Sequence, residues 1–372
     1  MKRLFKMIGF ILGGSVLLVG LTVGIFVNVS PQMGGKHSEE DRVRYQESGH
    51  YVDGKFMNLA ETTMDFTFSS SIDLMKAYIK GNPKSKPDHE LPILDADSTE
   101  IAENRAERLI WFGHSAFLLH LNGKNILIDP MLGQHPSPSP LVGTKRFTEK
   151  LPIEVEELPE IDAVLISHDH YDHLDYGSIQ ALKDKTKDFY VPLGVGAHLR
   201  AWGIDSSSIH EHNWWDENSI DSIQIAFTPS RHFSGRGLNN NSSTLWGSWV
   251  IHGTNNRLFF SGDSGYGSHF KDIGKKYGPF DFAMLECGQY NENWTQIHMA
   301  PEETAMAAVD IGTKGMMPIH WGSFKLALHD WNEPAIRVTQ KAKELEMPIL
   351  IPKIGAPIPL DTLNYDQEIW WN

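Results

Sequence analysis

Three histidines and two aspartates fall within the six positions from His168 to His173. They follow residues 162–167 (DAVLIS), an apolar run that predicts a buried strand ending in polar residues. A loop at the end of such a strand can aim several side chains at one point, because the sheet holds its base rigid. Imidazole nitrogen and carboxylate oxygen suit zinc, and also iron or manganese. The segment therefore predicts a metal site that includes His168, His170, Asp172 and His173.

A strand-like run followed by one ligand-type residue occurs three more times along the chain. These residues are His232 after 226–229, Asp263 after 258–262, and His320 after 316–319. Any one of them alone is as readily explained by a structural role. Because they come in series after the first cluster, we expect them to complete the same site.

The elements that must position these residues form a mixed pattern from residue 108 onward. Short apolar runs bounded by Gly, Asn, Asp and Pro predict strands, and helix candidates lie between them. The predicted strands are 109–112, 116–121, 125–128, 162–167, 222–227, 248–251, 257–260, 281–285 and 316–319. The predicted helices are 177–182, 197–202, 267–277, 301–311 and 333–345. This pattern indicates the α/β class, with two sheets sandwiched between helix layers.

The N-terminal segment is apolar over residues 7–29, which is long enough to span a bilayer as a helix. Lys2, Arg3 and Lys6 precede it, and the next basic residue is Lys36. The positive-inside rule then places the N-terminus in the cytoplasm and the body on the other side of the membrane. The alternative is a cleaved signal peptide, which would leave a secreted or periplasmic body.

Three segments are expected along the chain. Residues 1–30 form the anchor or signal segment, residues 31–105 an irregular lead-in that packs on the core, and residues 106–372 the domain with the metal site. The formal net charge of −14 repels phosphate backbones, so we expect no nucleic acid partner. Cys287 is the one cysteine; it cannot form an intrachain disulfide and is expected to be a small buried residue.

The order His-x-His-x-Asp-His, followed by a later His, Asp and His, resembles the metallo-β-lactamase superfamily. The resemblance implies an αβ/βα four-layer sandwich with two Zn²⁺ ions, for which iron or manganese can substitute. The implied ligands are His168, His170 and His232 for one ion, Asp172, His173 and His320 for the other, and Asp263 as the bridge. Every position of the family pattern is filled.

Longer stretches carry a more particular resemblance over most of the chain beyond the N-terminal segment. They are 53–56 (DGKF), 111–115 (WFGHS), 128–130 (IDP), 245–249 (LWGSW), 262–266 (GDSGY), His298 before 301–303 (PEE), and 319–322 (IHWG). Together they resemble the N-acyl-phosphatidylethanolamine-hydrolysing phospholipase D group. This resemblance implies a membrane phospholipid substrate, attack of a metal-bound hydroxide on phosphorus, and release of phosphatidic acid and an N-acylethanolamine.

The expected catalytic residues are Asp172, Asp263 and His298. His298 lies outside the seven-residue ligand pattern, so it is the candidate proton donor to the leaving group; a loop-capping or ligand-orienting role is the alternative. Asp129, at the end of a predicted strand, and His114, in a Gly-His-Ser turn, are expected to orient ligands or support the structure.

Two other functions stay open on the sequence alone. A lactonase, or another ester or amide hydrolase, would keep the metal site and cleave a different bond, because one fold hosts many reactions. A membrane-tethered metal-binding domain would keep the ligands without catalysis. Membrane attachment is part of the first and the last of these interpretations, and a homodimer is compatible with all three.

Overall fold

The computed structural model describes residues 2–64, 67–104, 106–237 and 239–372. Its α-helices are α1 (Lys2–Val29), α2 (Glu39–Gln46), α3 (Phe68–Lys80), α4 (Ser98–Glu103), α5 (Tyr176–Leu182), α6 (Val195–Ala201), α7 (His269–Tyr277), α8 (Pro301–Ile311) and α9 (Glu333–Glu344). Its strands are β1 (Tyr51–Val52), β2 (Lys55–Phe56), β3 (Arg108–Trp111), β4 (Phe117–Leu121), β5 (Lys124–Ile128), β6 (Ile161–Leu165), β7 (Thr186–Pro192), β8 (Ile209–His212), β9 (Glu217–Ile220), β10 (Ile223–Thr228), β11 (Ser248–His252), β12 (Arg257–Phe260), β13 (Phe282–Glu286), β14 (Met316–Ile319) and β15 (Pro357–Pro359). One-turn 3₁₀ helices lie at Pro31–Met33, Pro83–Ser85, Val155–Glu157, Ser206–Ser208 and Glu292–Trp294.

Two mixed sheets form the body. The first has the order β15-β3-β4-β5-β6-β7-β8, with antiparallel pairing up to β5 and parallel pairing from β5 to β8. The second has the order β14-β13-β12-β11-β10-β9, with antiparallel pairing from β9 to β12 and parallel pairing from β12 to β14. Strands β1 and β2 form a separate hairpin in the lead-in.

Each sheet is apolar on both faces, as expected for strands covered on both sides. Between the sheets, Trp111 and Phe117 of the first pack in one core with Phe227, Trp249 and Phe260 of the second. Helices α5 and α6 cover the outer face of the first sheet, and α7, α8 and α9 cover that of the second. This is the predicted αβ/βα four-layer sandwich. Buried Cys287 lies in the outer core of the second sheet, in agreement with the prediction.

Strands β7, β8, β9 and β15 were not predicted from the sequence. β8 (IHEH), β9 (ENSI) and β15 (PIP) are edge strands. Edge strands tolerate polar residues and proline, so they lack the apolar pattern on which strand prediction depends. β7 begins with three polar residues, which hides its buried second half.

The lead-in has more regular structure than the prediction of an irregular segment allows. Its helices α2, α3 and α4 each begin at a side-chain cap, supplied by Ser38, Thr67 and Asp97. Tyr45 and Phe56 join the core between the sheets, which is how the lead-in packs on the body. Short helices that bury so few residues give little periodic signal, and for that reason the sequence did not reveal them. The division of the chain at residues 30 and 105 stays a prediction.

Helix α1 is long and apolar enough to cross a membrane. Within its segment Arg3–Val29, an 18-residue stretch has a mean hydropathy of 2.4, and none of that stretch is buried. Hydrogen bonds at three main-chain groups hold the chain directly after α1 on the body. They run from Trp202 Nε1 to Pro31 O (2.7 Å), from Arg236 Nε to Gln32 O (2.9 Å), and from Gly35 N–H to His198 Nδ1 (3.0 Å).

The C-terminal tail closes one end of the core between the sheets. Trp370 is buried and stacks on Trp321 with 5.6 Å between ring centroids, and its Nε1 donates to Ile351 O at 3.0 Å. Trp321 in turn contacts Trp111 and Trp331. The tail thereby supports the residue that follows His320.

Replacement of Trp370 by alanine is expected to lower the free energy of unfolding by about 3–5 kcal/mol, because it opens a cavity beside Trp321. Urea unfolding of the full chain in detergent, followed by tryptophan fluorescence, measures the change. The control is Ile369→Ala, at a half-exposed neighbour, which should cost less than about 0.5 kcal/mol. Equal stability of the Trp370 variant and the wild type would contradict this view of the tail.

Candidate metal centre

A first group of potential ligands lies where β6, β10 and β12 end. His170 Nδ1 is 2.9 Å from His168 Nε2 and 3.2 Å from His232 Nε2. Asp263 Oδ2 is 3.8 Å from His168 Nε2 and 3.7 Å from His232 Nε2. Ligand atoms 2.0–2.1 Å from a tetrahedral zinc ion are about 3.3 Å apart. The group therefore has the dimensions of a metal site.

A second group lies on the other side of Asp263. Asp263 Oδ1 is 3.2 Å from His173 Nε2 and 3.0 Å from His320 Nδ1. Asp172 Oδ2 is 3.4 Å from His173 Nε2 and 3.9 Å from His320 Nε2. One carboxylate oxygen of Asp263 thus faces each group, which is the arrangement that a bridging ligand requires. The structure brings all seven expected ligands together, and metal binding by them stays a prediction.

Two buried atoms at the centre have unsatisfied lone pairs. Among the described residues, neither His173 Nε2 nor Asp263 Oδ1 has a hydrogen-bond partner, although the two atoms are 3.2 Å apart. Buried polar atoms in proteins are almost always paired. A cation between these two atoms would satisfy both, so the residues present fit a bound metal.

Hydrogen bonds on the side away from the centre orient the rings of two expected ligands. Asp129 accepts hydrogen bonds from Ser167 N–H (2.7 Å) and His173 Nδ1 (2.7 Å). The Ser167 hydroxyl donates to Asp129 and lies 2.9 Å from His168 Nδ1. Both histidines therefore direct Nε2 toward the centre. Asp129 therefore fixes the ring of His173, and its role in orienting a metal ligand stays a prediction.

His114 also supports the centre from a turn. Its Nε2 is 2.8 Å from Asp172 Oδ2. Its main chain pairs with the turn after β14, because His114 N–H donates to Trp321 O and His320 N–H donates to His114 O. His114 and His320 have positive φ angles of 53° and 68°, a backbone strain that clusters at functional sites. The Gly-His-Ser turn thus fixes two of the expected ligands.

The electrostatics of the centre favour the metal-binding forms of four expected ligands; at a fifth, His173, burial lowers the pKa, but the neighbouring carboxylates raise it well above the usual value. Burial lowers the pKa of His168, His232 and His320 well below the usual value, so these rings are neutral at pH 7. Burial opposes ionisation of Asp263, but the charge of His173 nevertheless holds its pKa well below the usual value. Metal ions bind neutral imidazole and ionised carboxylate. No loss of protons is therefore needed from these four groups.

Members of both groups line a cavity with a volume of about 390 Å³. His298 lies outside the two groups and lines this cavity as well. Its Nδ1 donates to Oε1 of Glu286 (3.1 Å), whose other oxygen accepts from Met299 N–H (2.9 Å). Burial raises the pKa of Glu286. Burial lowers the pKa of His298, but the hydrogen bond and the charge of Glu286 raise it overall. The pair therefore keeps a proton at the wall of the cavity.

Sequence analysis missed Glu286 as a functional residue. The signal was present, because Glu286 ends β13 (FAMLE) in the same strand-then-polar pattern as the expected ligands. The rest of the cavity wall is largely apolar. Its apolar members are Met64, Phe233, Trp294, Ile297 and Leu326.

A mixed α/β sandwich with two His/Asp groups at one edge is typical of metal-dependent hydrolases, and this is the class of protein that the fold and the site indicate. Residues 124–321 match the family described as the beta-lactamase superfamily domain, and the chain belongs to the metallo-β-lactamase superfamily. It is a hydrolase of that fold.

Relatives lie in several organisms. The chain is 30% identical to N-acyl-phosphatidylethanolamine-hydrolyzing phospholipase D 1 of Caenorhabditis elegans over 270 residues, which is 69% of this chain and 75% of that protein. It is 39% identical to an uncharacterized protein of Mycobacterium tuberculosis over 350 residues, 92% of each chain. An isothiocyanate hydrolase from Delia radicum gut bacteria shares the fold with a TM-score of 0.53 at 23% identity, over 67% of this chain and 98% of that one.

Proposed function

We propose that the chain is a metal-dependent phosphodiesterase of the phospholipase D type. Its substrate is N-acyl-phosphatidylethanolamine, and its products are an N-acylethanolamine and phosphatidic acid. The observation that carries the proposal is the placement of two ligand groups, a carboxylate between them and one further histidine around a single cavity. Similarity to the C. elegans protein, whose name states this substrate, supports the choice of bond.

Two Zn²⁺ ions fit the donor set best, and iron and manganese accept the same nitrogen and oxygen ligands. The ligands would be His168, His170 and His232 for one ion, Asp172, His173 and His320 for the other, and Asp263 for both. Bound there, the ions supply an activated water at neutral pH and positive charge for the phosphoryl oxygens.

His298 delivers the proton that the leaving group needs. Glu286 holds its Nδ1, which leaves Nε2 as the nitrogen that faces substrate. As the bond between phosphorus and the ethanolamine oxygen breaks, transfer of this proton to that oxygen avoids a free alkoxide. The water oxygen ends on phosphorus, so the phosphate group stays with the diacylglycerol part.

The cavity and α1 suit a substrate that stays in a bilayer. A volume of about 390 Å³ lies in the range of small-molecule sites, so it takes the head group and the start of one chain. The remaining chains of a diacyl lipid stay outside it. With α1 inserted and the N-terminus in the cytoplasm, the body works at the opposite membrane surface, next to its substrate.

The test is product analysis with the full chain in mixed micelles. N-acyl-phosphatidylethanolamine, phosphatidylcholine, a lactone and a β-lactam are offered separately in H₂¹⁸O, and products are identified by mass spectrometry. We expect turnover of the first substrate, ¹⁸O in phosphatidic acid, and none in the N-acylethanolamine. Chelation should remove activity together with about two metal equivalents, and added Zn²⁺ should restore both.

Each of the other outcomes would assign a different function to the chain. Turnover of the lactone alone makes it a carboxylic ester hydrolase with the same metal site. Full metal content without any turnover makes it a metal-binding domain. Full activity in the chelated, metal-free protein contradicts the mechanism altogether.

A further inference from the structure

Asn58 lies in the lead-in, 174 residues before His232, yet it pairs with the main chain of that histidine. Its Nδ2 donates to His232 O at 2.7 Å, and its Oδ1 accepts from His232 N–H at 3.1 Å. The two bonds resemble the pair of hydrogen bonds, one from N–H and one to C=O, that a residue makes with its partner on a neighbouring antiparallel strand. No main-chain group in the described ranges bonds to this N–H or this carbonyl. Asn58 is therefore the support of the His232 peptide groups.

The side chain of Asn58 is itself held in place. Its Oδ1 also accepts from Trp246 Nε1 at 3.1 Å, and the same indole N–H lies 3.2 Å from Ser230 O. Trp246 is fully buried, so its ring cannot follow a displaced partner. The amide thus has a fixed position between the indole and the loop with His232.

The neighbouring residues of the lead-in run along the same loop. Arg231 donates from Nη2 to Glu61 O (2.7 Å) and from Nε to Thr62 Oγ1 (3.1 Å). Gln296 Oε1 accepts from Arg231 Nη2 (2.7 Å) and from Thr63 N–H (2.9 Å). The next residue, Met64, lines the cavity. Residues 58–64 therefore connect the loop after β10 with the cavity wall.

The position of the His232 ring depends on this support. Its Nδ1 donates to Ile297 O at 2.9 Å, and its Nε2 faces the first group. The hydrogen bond at Nδ1 alone would let the ring tilt about that contact. The ring is fixed only if the main chain of His232 is held as well. Asn58 supplies the second constraint without touching any ligand atom.

We propose that Asn58 is a positioning residue of the metal centre, acting through the main chain of His232. Residues 58–64 then belong to the metal site and are not only a spacer between the anchor and the catalytic domain. The inference rests on the proposed binding of a metal by His168, His170 and His232.

The experiment compares metal affinity in the full chain after metal removal and titration with Zn²⁺ against a chromogenic chelator. Asn58→Ala removes both hydrogen bonds to the main chain of His232, and Asn58→Asp keeps the acceptor for His232 N–H. Asn82→Ala is the matched control, because this lead-in amide bonds Leu328 O and Asp330 Oδ1 instead. The absorption spectrum of the Co²⁺-substituted protein reports ligand geometry independently of activity.

We expect Asn58→Ala to weaken one Zn²⁺ equivalent by about 10–100-fold and to shift the Co²⁺ spectrum, as loss of a ligand's support does in other metal sites. Asn58→Asp should fall between this variant and the wild type, and it serves as the test if the alanine variant does not fold. Asn82→Ala should keep both affinities within about twofold, whatever its stability.

Unchanged affinity and spectrum in Asn58→Ala would overturn the inference and leave the proposed function standing. Equal losses in Asn58→Ala and Asn82→Ala would also overturn it, since they would reflect a loosened lead-in. A wild-type chain that binds no metal would overturn the inference and the proposed function together.

Discussion

Replacement of Asp263 by alanine is expected to release at least one metal ion and to lower phospholipid turnover by about 10³-fold, the upper end of what one preorganised charged or polar group contributes. Its two oxygens face the two ligand groups, so the variant leaves both groups short of a ligand. Without this negative charge, the first group offers only imidazoles to a cation, and Asp172 is the remaining carboxylate of the second group. Metal content by elemental analysis and turnover by mass spectrometry are measured on the same preparation.

The control for Asp263 is Asp272→Ala, in the first turn of α7 at an exposed position. This variant removes a carboxylate from the same part of the chain and should keep its metal and its activity. Circular dichroism confirms that both variants fold. Full metal content in the Asp263 variant would show that the centre does not depend on a carboxylate between the groups.

Replacement of His298 by alanine is expected to lower turnover of N-acyl-phosphatidylethanolamine, the proposed substrate, by about 10²–10⁴-fold without loss of bound metal. The leaving group decides the size of the effect. A phosphodiester that releases p-nitrophenolate needs no proton, so its turnover should fall by less than about tenfold. Rates with both substrates, measured on metal-replete protein, separate proton donation from other roles of the ring.

His298 also lies within reach of Asp263 and His320, so a metal-binding role competes with proton donation. Loss of a metal equivalent in the alanine variant would assign His298 to the metal. Equal losses of turnover with both phosphodiesters would likewise rule out the donor role. His252→Gln, at the far end of β11, is the control and should leave both rates unchanged.

The expected ligands could be identified from sequence because they lie at the ends of strands or in the loops directly after them. His168 comes three residues after β6, Asp263 three residues after β12, and His320 immediately after β14. The sheet dictates that the ends of such strands meet, so the local pattern was sufficient. The layers were expected because helix candidates lie between the strands, and the family resemblance implied the four-layer form.

The supports of these ligands could not be identified in that way. The segment around Asn58 (MNL) has no pattern that marks its amide, and the partner of that amide is 174 residues away. Glu286 ended a strand as the ligands do, but only the structure shows that it is fully buried against His298. Contacts between distant segments depend on how the loops fold over the sheet edge, which no local spacing encodes.

The hydrogen bonds at Pro31, Gln32 and Gly35 begin two residues after α1 ends at Val29. If α1 is inserted in a bilayer, no flexible linker therefore separates it from the catalytic body. The height of the cavity above the lipid surface is then set by the protein, and the body keeps only rotation about the membrane normal and lateral drift. If the substrate is the proposed lipid, encounters with it would then be a two-dimensional search, in which the mole fraction of substrate in the surface governs the rate and its bulk concentration does not.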